Sequence, residues 1–196
     1  MCTGKCSTFI GISLYPLAIL SIICNIVLFF PDLKSTYAKL DADGLYRLTD
    51  EVKYMGGVIG GGILVLIPAI HIHSTGKKGC CANRCGMFLS ILFAAIGVVG
   101  ALYSIAVAAV GLINGPVCMT PNGSWGRPFI NISESYLSDS KIWDWCRDPK
   151  NVVEFNIGLF SALLVAGCLE LLLCGFQVIN GLFGCICGTC NNKEGQ

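Results

Sequence analysis

Residues 157–183 read IGLFSALLVAGCLELLLCGFQVINGLF. The run is apolar for about 27 residues, or roughly 40 Å as a helix, against a hydrocarbon core of roughly 30 Å. It is long enough to cross a bilayer with tilt. Within it, Gly167, Glu170, Cys174, Gln177 and Gly181 recur at spacings of three and four, a heptad seam of small and polar residues. In lipid, apolar side chains gain little by pairing, so helices associate through close backbone approach at small residues and through interhelical hydrogen bonds. A carboxyl group in such a seam belongs against other helices. The segment reads as a membrane helix that others pack against.

Outward from it, three more apolar runs lie at about 10–30, 54–72 and 87–113, each near the roughly 20 residues a span needs. The whole chain agrees with that class: 196 residues, only 13% charged, with mean hydropathy +0.70. A net charge of +1 argues for neither nucleic acid nor an acidic partner. The first run is too long for a signal-peptide core and no A-x-A site follows it, so it reads as a first span. The seam grammar recurs: Ala18, Ser21, Asn25 and Leu28; then Gly57, Gly60, Leu64, Ile67 and His71; then Ser90, Phe93, Gly97, Gly100, Ser104, Val107 and Gly111. Small residues at period 3.5 in four helices predict a tight, left-handed four-helix bundle.

An even number of crossings puts both termini on one side. The loops 31–53 and 114–151 hold more Lys and Arg than the other side, which by the positive-inside count would face them inward. Two signals oppose that count. Both N-x-[ST] sequons, at Asn122 and Asn131, lie in 114–151, and so do the isolated cysteines Cys118 and Cys146. Glycosylation and a lasting disulfide both need the lumenal side. The termini are therefore expected to be cytosolic, and a Cys118–Cys146 bridge would close a loop of just under 30 residues for roughly 3–4 kcal/mol.

Eight of the thirteen cysteines fall at the inner membrane border: Cys2, Cys6, Cys80, Cys81, Cys85, Cys185, Cys187 and Cys190. Thiols close to acyl chains in a reducing compartment suit S-palmitoylation. Zinc is the competing reading, but only Cys187-x-x-Cys190 makes a clean ligand pair, and simple free thiols are the third. Acylation is favoured, with no metal expected. Cys24, Cys168 and Cys174 read as packing residues within spans. All three tryptophans, Trp125, Trp143 and Trp145, lie in the large loop. They suit either the core of a small folded head or the headgroup belt. With Tyr136 they also suggest a recognition surface.

Glu170 falls near the bilayer centre, where a bare charge is costly, so an uncharged, hydrogen-bonded carboxylic acid is expected. Tyr103 and Ser104 reach about the same depth and are its nominated partners. Asn25 and Gln177 complete the set of intramembrane polar packing residues, nearer the outer and inner leaflets. A proton or ion relay would need further ionisable groups above and below Glu170, and the span has none. His71 and His73, two apart, face different directions and make a poor metal pair. No nucleophile–base–acid set is present, and GGVIGGG at 56–62 lies within a span, where close helix contact explains it better than phosphate binding. No enzyme activity and no cofactor are expected.

With these residues laid out, the chain resembles the L-six antigen branch of the transmembrane 4 superfamily, the tetraspanin-like membrane proteins. The motifs run end to end: MCTGKC at the start, GG-x-x-GGG-x-x-x-x-x-P in the second span, and KGCC with NRC. They continue through NGP-x-C at 114–118, G-x-W-G at 123–126 and W-x-x-C-x-x-P at 143–149, and close with CLELLLCG-x-Q-x-IN and G-x-x-x-CG-x-C. The large loop has no Cys-Cys-Gly, so the tetraspanin head fold is not carried over. Claudins are excluded, since their cysteine pair falls in the first outer loop. The first outer loop here, with Asp41, Asp43, Asp50 and Glu51, is longer and more acidic than usual for the family.

The expected fold is an all-α membrane protein, a left-handed bundle of four transmembrane helices with a small disulfide-bonded extracellular loop. The layout is a cytosolic tail 1–9, spans 10–30, 54–72, 87–113 and 157–183, outer loops 31–53 and 114–156, an inner loop 73–86 and a cytosolic tail 184–196. The resemblance implies a glycosylated outer loop, palmitoylated inner cysteines, and a non-enzymatic organiser of membrane microdomains. It implies lateral association with integrins, growth-factor receptors or tetraspanins, and effects on adhesion, migration and proliferation. The plasma membrane is the expected residence, with endosomal or lysosomal membranes as a second, and a homo-oligomer stays open. The alternative is a small transporter or channel using Glu170.

Overall fold

A computed structural model describes residues 3–34, 37, 47–75, 84–130 and 136–187. Among the described residues, four stretches of helix are long and apolar enough to cross a membrane: Lys5–Leu28, Gly56–Ser74, Phe88–Asn114 and Val152–Phe183. In chain order, α1 (Thr3–Leu28) is followed by a 3₁₀ turn (Pro31–Leu33) and the short α2 (Asp50–Lys53). A π-helix (Gly56–Ile63) then runs into α3 (Leu64–Thr75), and α4 (Arg84–Asn114) leads to the head. There β1 (Cys118–Met119) and β2 (Trp125–Gly126) pair antiparallel, a 3₁₀ turn covers Ser140–Trp145, and α5 (Val152–Cys187) closes the chain. The four-helix fold with a disulfide-bonded loop is thus present, with two short strands added in the loop.

The helices close a ring: α1 packs on α3 and α5, and α4 on α3 and α5. Outward faces carry Ile23, Ile63, Val99 and Leu172 to lipid, while the interior is small and polar. That inversion follows from the solvent, since hydrocarbon outside removes any advantage of burying leucine inside. Ala18, Ser21, Asn25 and Leu28 of α1 are all buried, as are Gly167, Glu170, Cys174, Gln177 and Gly181 of α5. At Gly111 the missing side chain admits the Phe160 ring, whose Cζ would lie 2.6 Å from an added Cβ.

The second span departs from its expected register. Gly57 and Gly60 are buried, but Ile67 is 48% exposed and Leu64 and His71 are only half-buried. Val65, Pro68 and Ile72 take the interior places, each one residue later. The cause is the π-helix, whose i→i+5 bonding inserts extra chain into the turn and advances every later side chain. Glycine makes this conformation accessible here: Gly56, Gly57, Gly60, Gly61 and Gly62 are all buried. A Cβ on Gly57 would stand 2.6 Å from Ser21 O, and one on Gly60 would stand 2.6 Å from Gly100 O. The segment therefore sits backbone against backbone with both α1 and α4. Met55, at φ +51°, turns the chain from α2 into it.

The core is layered. An apolar cluster of Cys24, Leu28, Leu48, Val52, Ala108, Phe160 and Leu163 lies at the head end. A second, of Ile10, Leu14, Ala18, Val65, Ala69, Ile72, Ala94 and Cys174, lies toward the termini. Polar residues separate and flank them.

Candidate functional site

The large loop folds back on itself. Cys118, fully buried on β1, is disulfide-bonded to Cys146, with Cα atoms 5.4 Å apart. Met119 N donates to Asp148 O and Arg147 N to Met119 O, both at 2.9 Å, so the segment before α5 adds a third backbone edge. The chain then enters α5 through a cis Asp148–Pro149 bond. Phe129 stacks on Tyr136 with centroids 4.7 Å apart, over Val152 and Val153 at the start of α5. Tyr136 Oη donates to Leu112 O at 2.6 Å, using one of the carbonyls that the end of α4 leaves without a helical partner. Trp143 Nε1 donates to Tyr136 O at 2.7 Å.

Of the four aromatic residues expected to form a partner surface, Tyr136 is buried and Trp143 half-buried, both turned into the loop's own core. Residues 140–145 form a 3₁₀ turn, which places Trp145 outside at 45% exposure. Ile130 and Leu137, which hydropathy alone did not single out, are also exposed apolar side chains of the head. Burial pushes the Tyr136 phenol up to about 12.

The two loops at the head end of the bundle are clasped together, which no local motif announced. Arg127, just after β2, reaches α2: Nη1 and Nη2 donate to Glu51 Oε1 and Oε2 at 2.9 and 2.8 Å, and Nη2 also to Asp50 Oδ2 at 3.0 Å. Asn114 Nδ2 donates to the same Glu51 Oε1 at 2.7 Å, tying in the end of α4. Glu51 and Arg127 are largely buried, with 5% and 15% of their side chains exposed, whereas Asp50 is open. Burial alone would make Arg127 easier to deprotonate. Glu51 and Asp50 outweigh it and hold the guanidinium above its ordinary value. Asp50 is held below the usual carboxylate range by its hydrogen bond from Lys53, against burial, with Arg127 helping.

Four further contacts complete the clasp. Tyr37 Oη donates to Asp148 Oδ1 at 3.2 Å, and burial together with that carboxylate raises its phenol. Arg47 lies 4.7 Å over the Trp125 ring, a cation–π contact, with Tyr37 tilted against the same ring. Val117 N donates to Thr49 Oγ1 at 3.4 Å. Trp125 is therefore engaged within the head.

Within the bundle, each intramembrane polar residue has a definite place. Asn25 Oδ1 accepts from Gly57 N at 2.9 Å and Val58 N at 3.1 Å, so a side chain of α1 caps the start of the π-helix. Glu170 Oε1 accepts from Ser21 Oγ at 3.1 Å. Its partner is thus on α1, where α1 and α5 face, instead of Tyr103 or Ser104 on α4. Tyr103 faces outward and its hydroxyl donates to Tyr54 O at 2.8 Å. Ser104 Oγ and Glu170 Oε2 are buried without a hydrogen-bond partner.

Near the termini, Gln177 Nε2 donates to Ser7 Oγ at 3.0 Å and Ser90 Oγ at 2.9 Å, joining α1, α4 and α5. Ser7 belongs to this layer because α1 begins at Thr3, ahead of the apolar run. His73 meets Tyr15 of α1, Nδ1 to Oη 3.4 Å, and His71 lies against Phe93 of α4. The two imidazoles do diverge.

Asn122 is exposed at the tip of the β1–β2 hairpin, whose turn is closed by Thr120 and Ser124. Asn131 lies outside the described residues, as do Cys2, Cys80, Cys81 and Cys190, and the side chains of Cys85 and Cys187 are likewise outside them. Cys6 is exposed and Cys185 half-buried. Among the described residues no three His, Cys, Asp or Glu side chains gather as a metal site would require.

The family model described as L6 membrane protein matches residues 1–191. The chain is 42% identical to Transmembrane 4 L6 family member 5 of Bos taurus, over all of this chain and 99% of that protein. It is 44% identical to member 4 of Mus musculus, over 97% of this chain and 94% of that one. It is 42% identical to member 1 of Homo sapiens, over all of this chain and 98% of that one. No solved structure matches it.

Proposed function

The chain belongs to the L6 membrane protein family, and from that premise we propose that it is a non-enzymatic organiser of membrane microdomains. The clasped head carries the reading. Two outer loops that would each be weak alone are joined through Arg127, Glu51 and Asp50 and anchored on the ends of α4 and α5, which makes one connected platform. Trp145, Ile130 and Leu137 stand exposed on it. Tryptophan is among the usual anchors of a protein interface, and apolar side chains presented with it help to exclude water.

The partners suited to it are integrins, growth-factor receptors or tetraspanins in the same membrane, through which adhesion, migration and proliferation would be affected. The head faces the extracellular side in this reading, bearing glycans on Asn122 and Asn131, with the plasma membrane as main residence and endosomal or lysosomal membranes as a second. Acyl chains on the inner cysteines would set its lipid address.

The test is capture of the tagged protein in mild detergent, with quantitative mass spectrometry of its companions. Receptors, integrins or tetraspanins are expected in near-stoichiometric amounts and lost when 114–151 is replaced. A protein recovered free of companions overturns the reading. Removal of N-glycans by glycosidase, read as a gel shift, checks the orientation separately.

A further inference from the structure

On the outer surface of the bundle, near the termini, an open groove of about 400 Å³ runs between α1 and α5. Its walls are Phe9 and Ile10 of α1 and Leu173, Phe176, Ile179 and Phe183 of α5, with Cys6 and Asn180 at one end. Cys6 is exposed and unbridged. Because α1 enters the membrane from its first turns, a group leaving the Cys6 sulfur toward the bilayer centre passes Phe9 and then Ile10. From Phe183 to Leu173 is ten residues of α5, about 15 Å. That is half of a hydrocarbon core of roughly 30 Å, the depth that one leaflet's acyl chains occupy.

Apolar walls along one leaflet's depth, with an exposed thiol at the mouth, suit a hydrocarbon chain tethered at that thiol. The end beside Cys6 also borders a polar layer. Asn180 Nδ2 donates to Ser7 Oγ at 2.9 Å, and Ser7 and Gln177 behind it are fully buried. An occupant there would close that layer off from headgroup water.

We propose that this groove is the seat of an acyl chain carried on Cys6, which packs against Phe9, Phe176 and Phe183 of its own protein instead of mixing with bulk lipid. The inference rests on the acylation reading given above. Acylation itself is a thioester exchange: the Cys6 sulfur bonds to the acyl carbon, the donor's C–S bond breaks, and the Cys6 proton ends on the released donor thiol. The co-reactant is an acyl thioester. The seated chain makes α1 and α5 one surface toward the leaflet.

The test uses the full chain in cell membranes with Cys2, Cys80, Cys81, Cys85, Cys185, Cys187 and Cys190 replaced by serine. Cells are fed an alkyne-tagged fatty acid bearing a diazirine, irradiated, and the adducts mapped by mass spectrometry. The expected result is label on Cys6 with photo-adducts on the 173–183 stretch of the same chain. Ile179→Trp, which fills the groove, should keep the label on Cys6 and lose those adducts. Retention of the Cys118–Cys146 bridge on non-reducing gels controls for folding. Label on Cys6 with adducts only on lipids or on other helices overturns the seat and leaves acylation standing. Adducts that survive Ile179→Trp also overturn the seat. Absence of label from Cys6 overturns both.

Discussion

Arg127 ties the two loops of the head together. Its two-pronged bond to Glu51 places two charges where little water reaches, and removing one partner strands the other. Breaking a buried pair in this way typically costs about 3–5 kcal/mol. Arg127→Ala should therefore loosen the head by that order, read as a lower thermal midpoint or faster proteolysis of 114–151. Arg127→Lys should recover only part of it, because an ammonium cannot meet both carboxylate oxygens. If Arg127→Ala melts with the native chain, the clasp contributes nothing.

Titration gives a second check at this scale. Tyr136 carries a folded-state value of about 12 against an ordinary 10.0. The folded head thus holds this proton more tightly than the unfolded chain does. Its contribution to stability is complete below about pH 10 and declines as pH rises toward about 12. Asp50 has the opposite sign: its contribution is present above the ordinary carboxylate range and fades as pH falls through its lowered value. Head stability measured against pH should fall at both ends, and Tyr136→Phe should reduce the alkaline limb to the share of Tyr37 while leaving the acid limb unchanged.

At the scale of an element, the π-helix is the departure from the expected pattern, and its support comes from another helix. Asn25→Ala would leave Gly57 N without an acceptor in a buried place, and Val58 N without one in a part-buried place. An unsatisfied buried donor costs about 1–3 kcal/mol, so α3 should become easier to open by hydrogen exchange. Two glycine substitutions make a paired test. Gly57→Ala brings a Cβ to 2.6 Å from Ser21 O and should destabilise by about 1–3 kcal/mol through overpacking. Gly175→Ala meets nothing within 4 Å and should be neutral or stabilising by up to about 1 kcal/mol, since alanine favours helix. Equal effects at both positions would mean that close helix contact does not decide the fold there.

For the whole molecule, the bundle and the head are continuous structures. Tyr136 bonds to the end of α4, and Val152 and Val153 of α5 form the floor of the head's core. Removing the bridge with Cys118→Ser and Cys146→Ser should cost about 2–5 kcal/mol, concentrated in the head, while the four helices remain inserted. Far-ultraviolet circular dichroism in detergent should barely change while antibodies to folded 114–151 lose binding. Glu170→Gln keeps a hydrogen-bonding group opposite Ser21 and should reach the membrane folded. A pH-dependent ion flux present in the native chain and absent from Glu170→Gln would favour the transporter alternative over an organiser.

Four spans, the polar seams of α1 and α5, and the Cys118–Cys146 pair were legible in the chain because their signals are local. Hydropathy over some twenty residues, helical spacing, and the isolation of two cysteines from the other eleven each depend on neighbours in sequence. Three matters were decided only by the tertiary fold. The partner of Glu170 is Ser21, 149 residues away, because equal depth does not say which helices face each other. The inward residues of α3 sit one place later than a heptad count puts them, because the π-helix forms where glycine backbones meet α1 and α4. The clasp joins Glu51 to Arg127, 76 residues apart, and a charge in a loop shows its partner only once the chain has brought the two together and excluded water from between them.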